Sequence, residues 1–313
     1  MKAFHVPKAV RKGWSAKMLI GVIIAIALLF TAVCMRLAAS VMTGYRQTLE
    51  EAMEWQSAHY DASFYQGLEK TDYVVSAHNG YVLHVQELRN PNPTNDFVIL
   101  SHGYTDNRLG SLKYVPMYLD LGFNCVIYDL RGHGENEPTF TAYGILEGQD
   151  LALLVKDTRA KHPEIARLRL GLHGESLGAA TAITALKYQP EVDFVVADCG
   201  FSDIENVLRE GYKNANVPVF LADMADFGAR LRYRYALKDM RPIESLTTNN
   251  VPVLFIHGED DAFILPRNSQ DMYDRTQGLR EIRLIPGAGH AESILKAPEA
   301  YQEYVREFLQ RLT

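Results

Sequence analysis

Short, mostly apolar runs alternate with helical patterns along most of this 313-residue chain, and this alternation limits the fold more than any other feature. The apolar runs lie at residues 97–101, 123–130, 168–172, 194–197, 251–256 and 281–285, and the helical patterns lie at 112–121, 145–161, 177–188, 266–276 and 298–312. Runs in which apolar residues predominate without a strict apolar–polar alternation are typical of strands buried on both faces, as in a parallel sheet. The alternation therefore predicts an α/β fold with a mostly parallel central sheet and flanking helices.

Two segments depart from this alternation. Residues 73–77 and 81–88 are strand-like and flank Asn79-Gly80, a pair that favours the tight turn of a β-hairpin. At about 200–250 no strand pattern occurs, and aromatic residues, methionines and arginines are frequent. Because about fifty residues are too many for a plain connection, we interpret this segment as a helical cap inserted over the carboxyl end of the sheet.

The N-terminal part of the chain carries a membrane signal. Residues 18–35 contain no charge and, as a helix, reach roughly 27 Å, enough to span the hydrocarbon core of a bilayer. Five bases and no acid lie in the first 17 residues, namely Lys2, Lys8, Arg11, Lys12 and Lys17. The positive-inside rule then predicts an N-terminal transmembrane helix with a cytoplasmic tail, in a single-pass cell-membrane protein whose main domain is extracytoplasmic.

A cleaved signal peptide is the competing interpretation, because Ala38-Ala39-Ser40 resembles a cleavage site of small residues, although Arg36 just before it disfavours this. Residues 44–70 follow with helix-compatible spacing and form either a stalk or a helix that docks on the domain. The sequence thus divides into a basic tail and anchor at 1–43, a linker or helical stalk at 44–70 and a main domain at 71–313, with the cap at about 200–250.

Charge and cysteine content exclude several classes of function. Beyond the basic tail, 27 basic residues face 38 acidic ones, and an acidic body argues against nucleic acid as a partner. The three cysteines, Cys34, Cys125 and Cys199, are too few for a disulfide framework and lack the spacing of a zinc site, so we interpret them as buried thiols. We expect neither a metal nor a cofactor.

One motif carries chemistry. The sequence Gly174-Glu175-Ser176-Leu177-Gly178 matches G-x-S-x-G and lies between a predicted strand and a predicted helix, which is the setting of a nucleophile elbow. The glycines are needed because side chains at their positions would collide with neighbouring backbone in so tight a turn. The alternative is a serine that merely caps a helix.

A serine hydroxyl needs a base to become a good nucleophile. In this type of site the chain order is serine, acid, histidine, which selects His290 after the last predicted strand. His102, His133 and His257 are better explained as structural residues bonded to loop backbone. The acid is expected after the penultimate strand, where the position relative to Gly258 and Pro266 favours Asp261 over Asp260.

Acyl transfer also needs donors for a developing oxyanion. The predicted donors are the backbone N–H of Leu177, which follows the nucleophile, and that of Tyr104, on the loop after the strand at 97–101. Phe201 and Phe263 are the candidate substrate contacts.

These motifs occur in an order that resembles a known superfamily. The segments are SHGYTDNR (101–108), YDLRGHGE (128–135), GLHGESLG (171–178), FVVADCGFSD (194–203), VPVLFIHGEDD (251–261) and PGAGHAES (286–293). They resemble the α/β-hydrolase superfamily, and in particular bacterial, membrane-anchored hydrolases of the serine esterase and aminopeptidase type. The resemblance implies an α/β-hydrolase fold, a triad of Ser176, Asp261 and His290, and an oxyanion site at Tyr104 and Leu177.

The sequence therefore predicts a serine hydrolase that cleaves small-molecule or lipid-like carboxylic esters through an acyl-enzyme, anchored in the membrane and without a cofactor. The first alternative is a serine peptidase of the aminopeptidase type, for which Glu205, Glu210, Asp223 and Asp226 are available to hold a substrate ammonium. An acyltransferase, a thioesterase and a non-catalytic anchored scaffold are further alternatives. Arg230, Arg232 and Arg234 either meet an anionic chain or lipid headgroup or form a solvated helix face.

Overall fold

A computed structural model describes residues 16–163 and 168–312, which form one eight-stranded sheet with helices on both faces. The strands are β1 (Lys70–Ser76), β2 (Val82–Leu88), β3 (Asp96–Ser101), β4 (Phe123–Tyr128), β5 (Leu170–Glu175), β6 (Phe194–Asp198), β7 (Val253–Gly258) and β8 (Arg280–Ile285). Their order in the sheet is β1-β2-β4-β3-β5-β6-β7-β8. Strand β2 is antiparallel to β1 and β4, and the other pairs are parallel, so the predicted mostly parallel sheet is confirmed.

The helices pack on the two faces of this sheet. They are α1 (Ala16–Met42), α2 (Leu49–His59), α3 (Phe64–Gly67), α4 (Val115–Asp120), α5 (Ile145–Lys161), α6 (Leu177–Ala185), α7 (Ile204–Asn214), α8 (Phe220–Tyr233), α9 (Arg267–Arg275), α10 (Ser293–Lys296) and α11 (Pro298–Gln310). Strand β3 shows why its residues are all apolar: Phe97 and Ile99 pack in one core with α5 and α6, while Val98 and Leu100 pack in the other with α4 and α11.

The predicted hairpin is confirmed. Strands β1 and β2 pair from Ser76 opposite Val82, and the turn between them places Asn79 at φ 58° and Gly80 at φ 73°. Two successive left-handed residues match the right-handed twist of the strands, which is why Asn-Gly suits this position.

The predicted boundaries lie within three residues of the observed ones, and two of the largest shifts have a local cause. The helix predicted at 112–121 begins with a 3₁₀ turn at Arg108–Tyr114 and becomes α4 only at Val115, because Pro116 lacks an N–H and is tolerated only in the first turn. Strand β5 continues past the predicted end at 172 to Glu175, because Glu175 still pairs with β6 opposite Asp198. The last residues of β5 are polar or small, so the pattern of apolar residues in the sequence does not indicate this extension.

The segment between β6 and β7 is helical, as predicted for the cap. It contains α7, α8 and two 3₁₀ turns, at Leu237–Asp239 and Pro242–Leu246, and no strand. Asp203 caps α7 by accepting a hydrogen bond from the Asn206 N–H at 3.2 Å. A cap of this kind leaves the strand order of the sheet intact.

Helix α1 is long and apolar enough to cross a membrane, with a mean hydropathy of 2.8 over its most apolar 18-residue window. Only 6% of that window is buried, unlike a core helix of a soluble protein. The basic residues predicted as a tail, apart from Lys17, lie outside the described residues. The last turns of α1 are buried against the domain: Cys34, Ala38 and Met42 are all fully inaccessible to solvent.

The linker after α1 docks on the domain rather than standing free as a stalk. Thr48 begins α2 through a reciprocal pair of hydrogen bonds with Glu51. Ala52 and Gln56 on α2 are buried, and the Asn107 amide donates to the Thr48 carbonyl at 3.0 Å. The question that the sequence left open is thus answered in favour of docking.

Candidate active site

Ser176 lies in a strained turn between β5 and α6. Its backbone has φ 53° and ψ −112°, a region that residues other than glycine rarely adopt. A Cβ on Gly174 would come within 2.1 Å of the Gly178 carbonyl oxygen, and a Cβ on Gly178 within 2.0 Å of the Ser101 carbonyl oxygen. Both flanking glycines are therefore required by the backbone, as the elbow interpretation predicts.

The structure brings Ser176, His290 and Asp261 together at the carboxyl ends of three parallel strands. The Ser176 Oγ lies 3.0 Å from His290 Nε2, and His290 Nδ1 lies 2.7 Å from Asp261 Oδ2. Because an ionised carboxylate only accepts hydrogen bonds, Nδ1 carries the proton and Nε2 is free to accept the serine proton. This is the arrangement that a serine nucleophile with a histidine base requires.

Asp261 is the most constrained member of this group. Its Oδ2 also lies 3.2 Å from His257 Nε2, and its Oδ1 accepts hydrogen bonds from the backbone N–H groups of Phe263 and Ile264. Burial alone would raise the pKa of the Asp261 carboxyl, but the hydrogen bonds from His257 and His290 outweigh it and hold the pKa below its ordinary value. The carboxylate therefore stays ionised beside His290, whereas the side chain of Asp260 is exposed to solvent.

The loop after β3 approaches the nucleophile. A Cβ on Gly103 would lie 3.9 Å from the Ser176 Cβ, so the loop passes directly beside the elbow. Neither the Tyr104 N–H nor the Leu177 N–H donates to another group among the described residues. Two unpaired amides next to a serine are suited to bind an oxyanion.

Two histidines hold this loop. The His102 Nδ1–H donates to the Gly103 carbonyl at 2.7 Å and Nε2 accepts from the Leu130 N–H at 2.9 Å, so the ring is neutral. His133 Nε2 contacts the Tyr104 carbonyl at 2.5 Å. Burial lowers the pKa of both His102 and His133 to about 3. The sequence-based interpretation of these residues, and of His257, as structural agrees with these contacts.

Ser176 and His290 open into a cavity of about 660 Å³. Its walls carry aliphatic and aromatic side chains from the cap and the loops: Tyr104, Tyr143, Ile204, Val207, Leu208, Tyr212, Phe263 and Ile264. Phe263 lines the cavity, which supports its prediction as a substrate contact, and its ring packs edge-on against His290 with centroids 5.0 Å apart. Phe201 does not line the cavity, and its predicted role as a substrate contact is wrong because its side chain is buried against Tyr143 in the core.

Sequence reasoning missed a buried polar cluster beneath the elbow. The Lys113 ammonium lies 2.5 Å from Glu175 Oε2, and the Tyr114 hydroxyl lies 2.6 Å from Glu175 Oε2 and 3.0 Å from Asp198 Oδ2. Glu175 counteracts the burial of Lys113 and raises the pKa of its ammonium, while burial raises the pKa of Asp198 to about 6. The only member of this cluster that the sequence singled out was Glu175, the variable residue between Gly174 and Ser176 of the elbow motif. Its partner Lys113 lies 62 positions earlier in the chain.

The cavity also has a wall that sequence reasoning did not predict. Ser40 and Val41 at the end of α1, together with Gln47 and Trp55 of the linker, line it beside Ser176. Nothing in the local sequence of these residues marks them as part of a site. Their place in the wall follows only from the docking of α1 and α2 on the domain.

Among the described residues, one cluster offers potential metal ligands. Cys199 Sγ, an Asp261 carboxylate oxygen and a His290 ring nitrogen lie within 4.8 Å of one another. Asp261 and His290 already bond to each other, and a metal ion between them would break that contact. The expectation of a reaction without metal or cofactor stays a prediction.

Comparison with known proteins agrees with this geometry. Residues 110–312 match the prolyl oligopeptidase family. The chain is 33% identical over 265 residues to the uncharacterized protein YqkD of Bacillus subtilis, a match that covers 83% of this chain and 85% of that protein. It is 22% identical over 261 residues to the uncharacterized membrane protein YNL320W of Saccharomyces cerevisiae, covering 80% and 83% of the two chains.

A solved structure shares the fold. The esterase Pf2001 of Pyrococcus furiosus superposes with a TM-score of 0.63 at 25% identity, over 78% of this chain and 93% of that one. The predicted α/β-hydrolase fold is thereby confirmed. The assignment of catalytic roles to Ser176, Asp261 and His290 stays a prediction, which the distances above support.

Proposed function

This chain belongs to the prolyl oligopeptidase family and is a serine hydrolase of the α/β-hydrolase superfamily, and from that premise we propose that it hydrolyses carboxylic esters. The observation that carries the proposal is the contact of 3.0 Å between Ser176 Oγ and His290 Nε2 at the floor of a largely apolar cavity. The esterase Pf2001, which shares the fold, supports the ester in particular.

The reaction follows from the positions of the side chains. Ser176 Oγ attacks the ester carbonyl carbon while His290 Nε2 takes the hydroxyl proton, and Asp261 stabilises the imidazolium that forms. The Tyr104 and Leu177 N–H groups bind the oxyanion. His290 then returns the proton to the departing alcohol, and water, activated by the same ring nitrogen, releases the acid from the acyl-enzyme.

An aminopeptidase is the alternative, and the four cap acids proposed to hold a substrate ammonium do not favour it. Glu205 and Asp223 both pair with Arg209, and Glu210 pairs with Arg267. Asp226 accepts a hydrogen bond from the backbone of Lys238. None of the four lines the cavity. Three other acids do: Asp106 has its pKa raised to about 6 by burial, which makes it a poor anion at mildly acidic pH, Glu175 pairs with Lys113, and Glu292 accepts a hydrogen bond from the Gly289 N–H.

A substrate series separates the two functions. The full-length protein in detergent micelles is given p-nitrophenyl esters of increasing acyl length and, in parallel, aminoacyl p-nitroanilides. We expect turnover of the esters only, and a loss on the order of 10⁴–10⁶ in kcat for Ser176→Ala. The exposed serine variant Ser57→Ala is the matched control and keeps wild-type turnover. Turnover of the anilides without the esters would establish the peptidase instead.

A further inference from the structure

The membrane helix and the active-site cavity share residues. Helix α1 runs without interruption from Ala16 to Met42, so the apolar run at 18–35 and the cavity residues Ser40 and Val41 belong to one rigid element. Met35 and Ser40 are separated by about 7.5 Å along the helix axis. The headgroup layer of a bilayer leaflet is roughly 5–7 Å thick, so the cavity wall lies at the membrane surface.

The end of α1 is fixed to the loop that carries Tyr104, one of the two predicted oxyanion donors. The Val41 carbonyl accepts hydrogen bonds from the hydroxyls of Tyr104, at 2.8 Å, and Tyr143, at 2.5 Å. The Gly44 N–H donates to the Tyr104 hydroxyl, and the Gln47 N–H donates to the Thr105 carbonyl. The distance between the bilayer and the reacting atoms is therefore set by hydrogen bonds and not by a flexible tether.

The cap packs against α1 through small residues. A Cβ on Gly228 of α8 would come within 2.0 Å of the Cys34 carbonyl oxygen, so the two helices touch backbone to backbone. Ala225 and Ala229, on either side of Gly228, are fully buried. Close contact between small residues is how helices associate within or beside a bilayer.

Helix α8 also has an exposed apolar face next to the membrane run. The ring of Phe227 lies 6.2 Å from that of Phe30, a residue inside the apolar run, and Phe227 and Leu231 are 44% and 41% exposed. Phe30 lies five residues before the outer end of the apolar run, which places it roughly 7.5 Å below that end. The apolar faces of interfacial helices are buried to a similar depth in a bilayer. The exposed Arg230 and Arg232 follow on the same helix, where headgroup phosphates would pair with them.

We propose that the cap and the end of α1 seat the cavity at the surface of the outer leaflet, and that the substrate is a long-chain acyl ester of a lipid in that leaflet. The acyl chain enters between α1 and α7. Val207 and Leu208 of α7 line the cavity. Ser176 attacks the lipid ester carbonyl, the lipid alcohol leaves with the proton from His290, and water releases the fatty acid. The inference rests on the proposed ester hydrolysis and adds the source and class of the ester.

The test compares two substrates with the full-length protein reconstituted into vesicles of phosphatidylglycerol and phosphatidylcholine. One substrate is the water-soluble p-nitrophenyl acetate, and the other is a fluorogenic diacyl phospholipid within the vesicle. Leu231→Glu is expected to lower phospholipid turnover about tenfold and to leave acetate turnover unchanged, because a carboxylate resists entry into the leaflet. Leu284→Glu is the matched control, since Leu284 is also 41% exposed but lies on β8.

The outcomes separate this inference from the proposed function. Hydrolysis of acetate without hydrolysis of the phospholipid overturns the lipid substrate and leaves the esterase standing. Hydrolysis of neither ester overturns both. Equal phospholipid turnover by Leu231→Glu and Leu284→Glu overturns the seating of the cap in the leaflet.

A binding measurement that needs no turnover adds a second criterion. Ser176→Ala protein in vesicles that carry a phospholipid with a diazirine at the acyl terminus is irradiated, and the crosslinked peptides are identified by mass spectrometry. We expect adducts on cavity residues of α7, such as Val207 and Leu208, in addition to the membrane run of α1. Adducts confined to residues 18–35 would mean that the acyl chain does not enter the cavity.

Discussion

Asp260 and Asp261, two adjacent acids after β7, differ in their burial and in their hydrogen bonds. Asp261 is buried and accepts four hydrogen bonds, two of them from imidazoles, whereas Asp260 is exposed. Asp260 lies in a turn that the Asp261 N–H closes by donating to the Gly258 carbonyl at 3.3 Å, so its side chain stays in solvent, whereas that of Asp261 is buried beside His290. The two positions therefore form a natural matched pair for mutagenesis.

Asp261→Asn is expected to lower kcat for ester hydrolysis by about 10⁴, and Asp260→Asn by less than about threefold. An amide at position 261 presents an N–H group to His290 and favours the wrong tautomer. Steady-state kinetics of both purified variants checks this, with circular dichroism to show that each is folded. A larger loss for Asp260→Asn would show that the register of this loop is wrong.

At the scale of single residues, the sequence predicts the positions that backbone rules constrain. Ser176 was recognisable because the flanking glycines are required by the turn, and His290 and Asp261 because chain order and strand ends restrict the choice. Phe201 was not predictable, since an aromatic residue after a strand points into a cavity or into the core according to tertiary packing. Lys113 was missed because its pairing with Glu175 joins distant parts of the chain.

At the scale of elements, the oxyanion loop depends on a neutral histidine. His102 Nε2 accepts the Leu130 N–H, a contact that protonation of this nitrogen would abolish. Its folded pKa of about 3 lies below the unfolded value of about 6.5, so the unfolded state binds more protons between these pH values. The resulting contribution to the free energy of unfolding is complete above about pH 6.5 and is lost as the pH falls toward 3.

His102→Gln removes this contribution while keeping an acceptor for Leu130. We expect the stability advantage of the wild type over His102→Gln to shrink by up to about 1.4 kcal/mol per pH unit as the pH falls from 6 to 4. Chemical denaturation at several pH values measures it, and His59→Gln on the exposed side of α2 is the control. Asp106 and Asp198 titrate in both proteins and cancel in the difference, whereas His133, whose ring lies 5.2 Å from that of His102 and whose pKa His102 helps to lower, contributes a smaller part to it. A difference that does not change with pH would contradict the assignment.

Prediction of elements succeeded where apolar periodicity was unbroken and failed where polar residues ended an element. Strand β3 was predictable from four consecutive apolar residues, Phe97–Leu100, whereas the end of β5 was hidden by His173-Gly174-Glu175. The start of α4 was displaced by Pro116. The docking of α2 was not predictable, because Ala52 and Gln56 are ordinary residues whose burial depends on the surface opposite them.

At the scale of the whole molecule, α1 is both an anchor candidate and a part of the folded domain. Cleavage before Val41 would remove Cys34 and Ala38, which are fully buried, and would open the cavity wall at Ser40. The burial of these residues is thus a physical reason for the helix to stay uncleaved. The sequence could not supply this reason, because the residues are buried only when the cap packs against them.

We predict that protease added to intact protoplasts digests the domain and leaves a short membrane-embedded N-terminal fragment. The basis is the placement of the five bases before the apolar run, by the positive-inside rule. Immunoblotting with tags at both ends of the chain measures it. Protection of the domain until the membrane is opened would show the opposite orientation, and a secreted product beginning near Val41 would show a cleaved signal peptide.

The central claim is that Ser176 is the nucleophile of a serine hydrolase, and active-site labelling tests it most directly. The full-length protein in detergent is treated with a fluorophosphonate, digested and analysed by mass spectrometry. We predict one adduct per chain, on Ser176, that is absent from folded Ser176→Ala protein. An adduct on a different serine, such as Ser40 in the same cavity, or undiminished labelling of Ser176→Ala, would contradict the account.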